Sequence, residues 1–487
     1  MDKTIKKIQL LFSITLLIKI LGLLYKMLLT RFLKIDGMVI YSLLMPTLSL
    51  SIALSSFNIQ IVCNQNISQN SNSVRNILKS ALKINIITSS IVSIIILLLF
   101  PFAKAIYGSY IIYYPLLTII PLIYFSNFSG IMKGYLEAKK NFITPALSNL
   151  LEQIAKIMLS IIFIFLVKNK DIYMKVIMAF LAMSLSEIFS FSFLIYKLTR
   201  NNKIYWSRTL DSNKKLLFKQ AAPITIDHLI ISIITFFEPI IFFYFCNINN
   251  ISKDISTKIY ALTNQYAIPA LTMILFIPLT ISKIIFPEAA KSINNLNVIQ
   301  KKIDLAIIVI FVCSLFNFNL CRFHNEKILL FLYKDISCKN LTILLTYFFI
   351  LIYFSPLLVG ILQAQKKEFF LLIESIILNI LSICILISFT FIKEINFLAY
   401  PLSIAITSSL KVIINFIYIK VRLNYSFPLF GTFVLFLSLF LNIFIGSKIK
   451  ASSFSLVYAN LVSLMVIVFY YYLSNKRKPE LYHMKHK

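Results

Sequence analysis

Of the 487 residues, 59% are apolar and 14% charged, a balance that excludes a soluble globular domain, whose surface needs more charge. The net charge of +30 invites a nucleic-acid reading. The basic residues are, however, spread over the ends of apolar stretches with no soluble module to present them, so they read as membrane-surface anchors.

About 20 apolar residues cross about 30 Å of hydrocarbon as a helix. Fourteen such windows occur, near 8–29, 38–61, 78–102, 112–138, 143–167, 173–198, 219–246, 258–286, 302–320, 341–364, 369–392, 397–421, 427–447 and 452–474. The first carries Lys19 and Lys26 and no small-residue cleavage site follows it, so it reads as a retained span. TRFLKIDGMVIY then forms an outer turn, and Pro46 can bend the second span. Spans four and five hold GIMKGYLEAKKNFITPALSNLLEQIAKI, residues 130–157, across a short turn at Lys139, Lys140 and Asn141. The polar stretch at 199–215 closes the first half. Basic residues crowd the N-terminus, this stretch and the tail, which places both termini in the cytoplasm of a multi-pass cell-membrane protein.

The 130–157 motif has an echo in VGILQAQKKEFF, residues 359–370: Gly134 aligns with Gly360 at an offset of 226 residues. IYSL at 40–43 matches IYAL at 259–262 at an offset of 219. An even number of spans separates the copies, so they share one orientation and form two lobes with the substrate site expected at their interface. The chain is therefore expected to be all-α. Residues 1–199 make an N-terminal six-helix lobe, 200–218 a cytoplasmic linker, 219–422 a second six-helix lobe, 423–475 two extra helices and 476–487 a basic tail. Gly130, Gly134 and Ala138, like Gly360 and Ala364, are spaced four apart, the small-residue pattern that lets helices pack closely.

An ionisable residue at mid-membrane costs at least about 2.5–3.5 kcal/mol, so each one in a span is a functional candidate unless it snorkels. Lys19 and Lys26 share one face of the first span and form a ladder for an anionic group, or else Lys26 snorkels and Lys19 has a structural partner. Lys133 and Lys283 lie nearer span ends, where snorkelling and cavity membership are both open. Glu152 and Lys156 stand i, i+4 in the favourable order for pairing with each other. Glu187 has no obvious local partner and suits a proton or cation site. Asp227 and Glu238, with His228 in the same span, join Glu374, Asn379 and Thr407 as oxygen donors for Na⁺ or H⁺ in the second lobe.

No phosphate-binding GxxxxGK[ST] loop, HExxH or CxxC occurs, and the six cysteines show no metal or disulfide-framework spacing. No outer loop is long enough for the paired carboxylates of a membrane glycosyltransferase, so an enzyme is not expected.

KGYLEAKKNFITPALSNLLEQIAKI, together with ITLLIKILGLLYKMLLTRFLKIDGMVIYSL near the start and IIFPEAAKSI at 284–293, resembles the polysaccharide-exporter branch of the multidrug/oligosaccharidyl-lipid/polysaccharide (MOP) flippase superfamily. The likeness is nearest to the stage V sporulation protein B group and the MurJ-type lipid II flippases. It implies a MATE-like fold of fourteen helices, alternating access and a cationic cavity for an undecaprenyl-linked sugar pyrophosphate. Lys19 and Lys26 fall where the family carries basic residues, usually arginines, and Asp227, Glu374 and Asn379 match its coupling-cation cluster loosely. Implied partners are the lipid-linked oligosaccharide and membrane lipids, with cell-wall synthesis proteins left open. No cofactor is implied beyond a coupling Na⁺ or H⁺. A cation-coupled multidrug exporter of the same superfamily and a non-transporting scaffold in cell-wall or spore-cortex assembly stay open as alternatives.

Overall fold

A computed structural model describes residues 3–69, 74–104, 110–201, 214–292, 299–423, 425, 440 and 461, and among these it is all-helical. Continuous Ile/Leu/Phe runs leave the backbone no water to bond with inside a bilayer, and a helix is the local structure that satisfies every N–H and C=O internally. The main helices are α1 (Lys3–Ser56), α2 (Ile59–Gln69), α3 (Val74–Leu98), α4 (Ile119–Ala138), α5 (Ile143–Leu166), α6 (Ile172–Asn201) and α7 (Lys214–Ile248). They continue with α8 (Lys253–Ala261), α9 (Phe276–Lys291), α10 (Gln300–Phe323), α11 (Asn325–Tyr333), α12 (Lys339–Ile352), α13 (Ser355–Ala364), α14 (Glu368–Thr390) and α15 (Ala399–Arg422).

Ten helices among the described residues are long and apolar enough to cross a membrane, and a pair bent by 61°, Lys253–Leu271 with Phe276–Lys291, adds an eleventh span. The first of the ten, Leu10–Ser68, has 59 residues, enough to cross twice. Counted so, these helices account for the first twelve expected windows. The last two windows lie outside the described residues except for Phe440 and Leu461.

The expected outer turn at TRFLKIDGMVIY is tighter than a loop. Helical backbone continues across it with one interruption, Lys34 at φ 53° and ψ −169°. Gly37 allows this sharp corner: a Cβ there would lie 2.9 Å from Leu33 Cβ and 3.0 Å from Ile172 Cδ1. A second interruption follows at Phe57 and Asn58, both at φ 46°, and starts α2 in a new direction.

By contacts the described chain groups into two compact units, Met1–Gln265 with Phe389–Phe397, and Tyr266–Ser388 with Leu398–Lys487. This division falls inside the eighth span, whereas the linker at 200–218 separates the sequence repeats. In the first unit α1 packs against α5, α7 and α8, and α4 against α2, α3 and α6. Its core includes Ile59, Val62, Ile77, Ala81, Ile131, Tyr135 and Leu194. In the second unit α9 packs on α13, and α15 on α12 and α13.

The repeat is visible in backbone detail. Helix α4 ends in a left-handed turn at Lys140 (φ 59°), where the Lys140 N–H donates to Glu137 O at 2.8 Å and the Asn141 N–H to Leu136 O at 2.9 Å. Helix α13 ends identically at Lys366 (φ 56°), with Lys366 N–H donating to Gln363 O at 3.0 Å and Lys367 N–H to Leu362 O at 2.9 Å. Both are the helix-terminating motif that satisfies the last carbonyls. The small residues just before each turn meet a neighbouring helix, α2 in the first copy and α9 in the second. A Cβ on Gly134 would sit 2.6 Å from Gln60 O of α2, and one on Gly130 3.1 Å from Gln60 Oε1. A Cβ on Gly360 would collide with Ser282 Oγ of α9, which donates to Pro356 O at 2.7 Å. Ala138 packs half-buried against the first unit's core, and Ala364 is buried.

Candidate functional site

Within the first unit the charged residues of the spans gather into one network. Lys26 is half-buried on α1, and its ammonium donates to Gln265 Oε1 and lies 5.8 Å from the ring centroid of Tyr41. Gln265 sits on a π-helical turn, Leu262–Ala267, that follows α8. Such turns widen the helix and redirect side chains, and they concentrate at functional sites. Tyr41 belongs to the half of α1 beyond the Lys34 corner, so the corner brings the two halves of this helix together around Lys26. The buried hydroxyls of Tyr25, Tyr41 and Ser160 cluster beside it.

Tyr25 links this cation to the next. Lys156 Nζ lies 5.9 Å from the Tyr25 ring centroid and 3.0 Å from Glu152 Oε1, forming the expected pair one turn apart on α5. Both side chains keep 12% exposure. Glu187 on α6 accepts from Ser129 Oγ at 3.4 Å and is within electrostatic range of Glu152, Lys133 and Lys156. Lys133 also faces Glu137, which accepts from Asn64 Nδ2 at 3.3 Å. The structure thus joins Lys26, Lys133, Glu152, Lys156 and Glu187 in one half-buried chain of groups. Lys19, seven residues before Lys26 and about 10 Å along the helix, is exposed.

The energetics set Lys26 apart. Glu152 and Lys156 compensate each other, but among the described residues Lys26 makes no ion pair. Its partners are an amide oxygen and an aromatic face, contributing about 1.5–3 and about 0.5–2 kcal/mol respectively. They offset the cost of placing the ammonium there without neutralising it. Among the described residues no carboxylate therefore competes with an anion for this ammonium.

The second unit holds a different group. Glu374 on α14 is 4% exposed and Asn415 on α15 fully buried, and the Asn415 amide faces the Glu374 carboxylate. Lys411 faces Glu374 electrostatically and donates to Ser375 Oγ at 3.4 Å, while Thr407, one turn earlier on the same stripe, donates to Ser403 O. Asn379 is half-buried five residues beyond Glu374, which turns it about 140° round the helix from this group. Glu238 is half-buried and His228 exposed on α7, and the side chain of Asp227 lies outside the described residues. Lys283 is exposed and lines a separate cavity of about 540 Å³ with Ser282, Gly360 and Gln363. No cluster of three or more His, Cys, Asp or Glu residues suits a metal among the described residues.

Sequence reasoning missed Gln265, Tyr25 and Tyr41 around Lys26, and Lys411 and Asn415 around Glu374. Two signals were there to read: the polar run Thr263, Asn264, Gln265 inside an apolar span, and the stripe Ser403, Thr407, Lys411, Asn415 recurring every four residues.

Comparison with known proteins agrees with this architecture. The polysaccharide biosynthesis protein family matches residues 4–292, more than half the chain. Stage V sporulation protein B of Bacillus subtilis (strain 168) is 23% identical over 361 residues, covering 71% of this chain and 70% of that protein. In fold the chain is similar to the lipid II flippase MurJ in its inward closed conformation, with a TM-score of 0.66 and 16% identity over 96% of this chain and 99% of that one. It is also similar to an inward-facing multidrug resistance MATE family transporter, with a TM-score of 0.65 and 16% identity over 83% of this chain and 94% of the other. A multi-pass helical chain matched by this family over most of its first three hundred residues belongs to the polysaccharide biosynthesis protein family.

Proposed function

We propose that the protein moves a lipid-linked, pyrophosphate-bearing cell-wall or polysaccharide precursor, such as lipid II, from the inner to the outer leaflet by alternating access. The observation that carries this reading is Lys26, a half-buried amine held by Gln265 and Tyr41 with no carboxylate partner among the described residues. A pyrophosphate supplies the missing negative charge, and Lys19, two turns along α1, extends the same positive stripe toward it. The likeness to a lipid II flippase and to stage V sporulation protein B supports the substrate class.

Coupling in this reading is to a proton at Glu374. Its carboxylate is buried within a span, with the Asn415 amide and Lys411 facing it.

The test is rescue of a bacterium depleted of its own lipid II flippase, read by growth and by lipid II in the outer leaflet. The wild type is expected to rescue, Lys26→Ala to fail and Lys26→Arg to retain activity. Equal rescue by Lys19→Ala with Lys26→Ala would overturn the role of the stripe. Absent rescue by a well-inserted wild type would direct the search to another polyprenyl-linked sugar. Collapse of the proton gradient at constant membrane potential is expected to stop transport by the wild type. Unchanged transport would exclude the proton.

A further inference from the structure

A second cation stands beside the buried tyrosine pair that neighbours Lys26. Tyr25 and Tyr41 come from the two halves of α1, and their hydroxyls face each other. Lys26 Nζ lies 5.8 Å from the centroid of the Tyr41 ring, and Lys156 Nζ, on α5, 5.9 Å from that of Tyr25. Ser160, one turn beyond Lys156, also faces Tyr25, so the packing of α1 on α5 assembles a hydroxyl cluster with an ammonium against each ring.

The two cations are held in different ways. Lys26 bonds to Gln265, 239 residues away, whereas Lys156 pairs at 3.0 Å with Glu152 on its own helix. A pair within one helix ties no two helices together, so Lys156 can turn from Glu152 to a ligand without disturbing the packing. Its flexible four-carbon stem permits the swing, and its side chain, 12% exposed, stays within reach of solvent. The carboxylates it would leave keep other partners: Glu187 accepts from Ser129 Oγ and faces Lys133 as well as Glu152 and Lys156.

A diphosphate carries two phosphoryl groups in tandem, each with its own negative charge. Ammoniums against two different rings offer one partner to each group, and a monophosphate fills one of the two places. With Lys26 as the cation for the first group, we propose that Lys156 selects a diphosphate over a monophosphate by exchanging Glu152 for the second phosphoryl group. Glu152 is then a counter-ion that the ligand displaces, and the role of Lys156 rests on that of Lys26.

Binding of undecaprenyl diphosphate and undecaprenyl monophosphate to the full chain in detergent, at one pH, reads the selection. The wild type is expected to bind the diphosphate at least about tenfold more tightly, the effect of one charge-assisted hydrogen bond. Lys156→Gln should bring the diphosphate down to the affinity of the monophosphate and leave the monophosphate unchanged, while Lys156→Arg keeps the preference. Glu152→Gln should tighten diphosphate binding by freeing Lys156, and should have no effect in the Lys156→Gln background. That double variant leaves neither partner of the pair charged, so it tests the selection even where Lys156→Gln alone fails to fold. Equal affinity of the wild type for the two lipids would overturn the proposal, as would a preference that survives Lys156→Gln or an equal loss of both lipids. So would a gain from Glu152→Gln that persists without Lys156, the mark of a general change in the field. Lys26→Ala is expected to weaken binding of both lipids. Binding indifferent to Lys26 would overturn the reading of the site itself and the role of Lys156 with it, whereas dependence on Lys26 with indifference to Lys156 would overturn only the latter.

Discussion

Lys26 shows how a membrane protein can hold a lysine inside a span without an ion-pair partner among the described residues. A carboxylate beside it would form an ion pair and leave nothing for a ligand, whereas the amide of Gln265 contributes a charge-assisted hydrogen bond and leaves the formal charge intact. Gln265→Glu therefore separates stability from function. The variant is expected to melt at or above the wild-type temperature while outer-leaflet delivery falls by at least about tenfold, the effect of about 1.4 kcal/mol lost to the competing pair. Loss of both folding and transport would show that Gln265 is needed for packing alone. Depth and periodicity were enough to find Lys26 in the sequence and to pair Glu152 with Lys156, because both follow from positions within one helix. The partners Gln265 and Tyr41 were not legible, since one lies 239 residues away and the other across a corner whose sharpness depends on Lys34 and Gly37.

At the scale of elements, the two copies of the glycine motif make contacts of the same kind with different tolerance. Gly134 abuts backbone, Gln60 O, which cannot turn aside, so Gly134→Ala should destabilise by about 1–3 kcal/mol, measured by thermal unfolding in detergent. Gly360 abuts a hydroxyl, Ser282 Oγ, so Gly360→Ala combined with Ser282→Ala should recover most of what Gly360→Ala alone loses. The left-handed turns give a second test. Lys140→Gly and Lys366→Gly each remove a side chain from a backbone that penalises it, and each is expected to stabilise by about 0.5–1 kcal/mol. A gain at one position and a loss at the other would break the equivalence of the two copies. The repeat was readable because glycine is scarce here and falls where a close approach requires it. The partner helices were not, because Gln60 and Ser282 share no sequence likeness.

For the whole molecule, hydropathy located twelve spans that the helices occupy, since crossing a bilayer constrains length and polarity more tightly than a soluble core does. The division into units was less legible. Sequence repeats mark equivalent segments, whereas contacts follow packing, and α7 and α8 pack with α1. Charge distribution predicts that both chain ends lie in the cytoplasm. A green fluorescent protein fused after Lys487 should therefore fluoresce and an alkaline phosphatase fused there stay inactive. The reverse pattern would require an odd number of spans or an inverted chain.

The π-helical turn has one more consequence, for the register of the two copies. From Ile40 to Gln60 the first copy counts 20 residues, and from Ile259 to Ser282 the second counts 23. The glycines of the two copies nonetheless meet these end points in the same way. The second copy is thus three residues longer over this stretch than the first. Its backbone is irregular there, at the wide turn Leu262–Ala267 and the non-helical corner at 272–275. In a regular helix three further residues would rotate every later side chain, by about 100° per residue, whereas here the glycine contact is kept. The same wide turn carries Gln265 to Lys26.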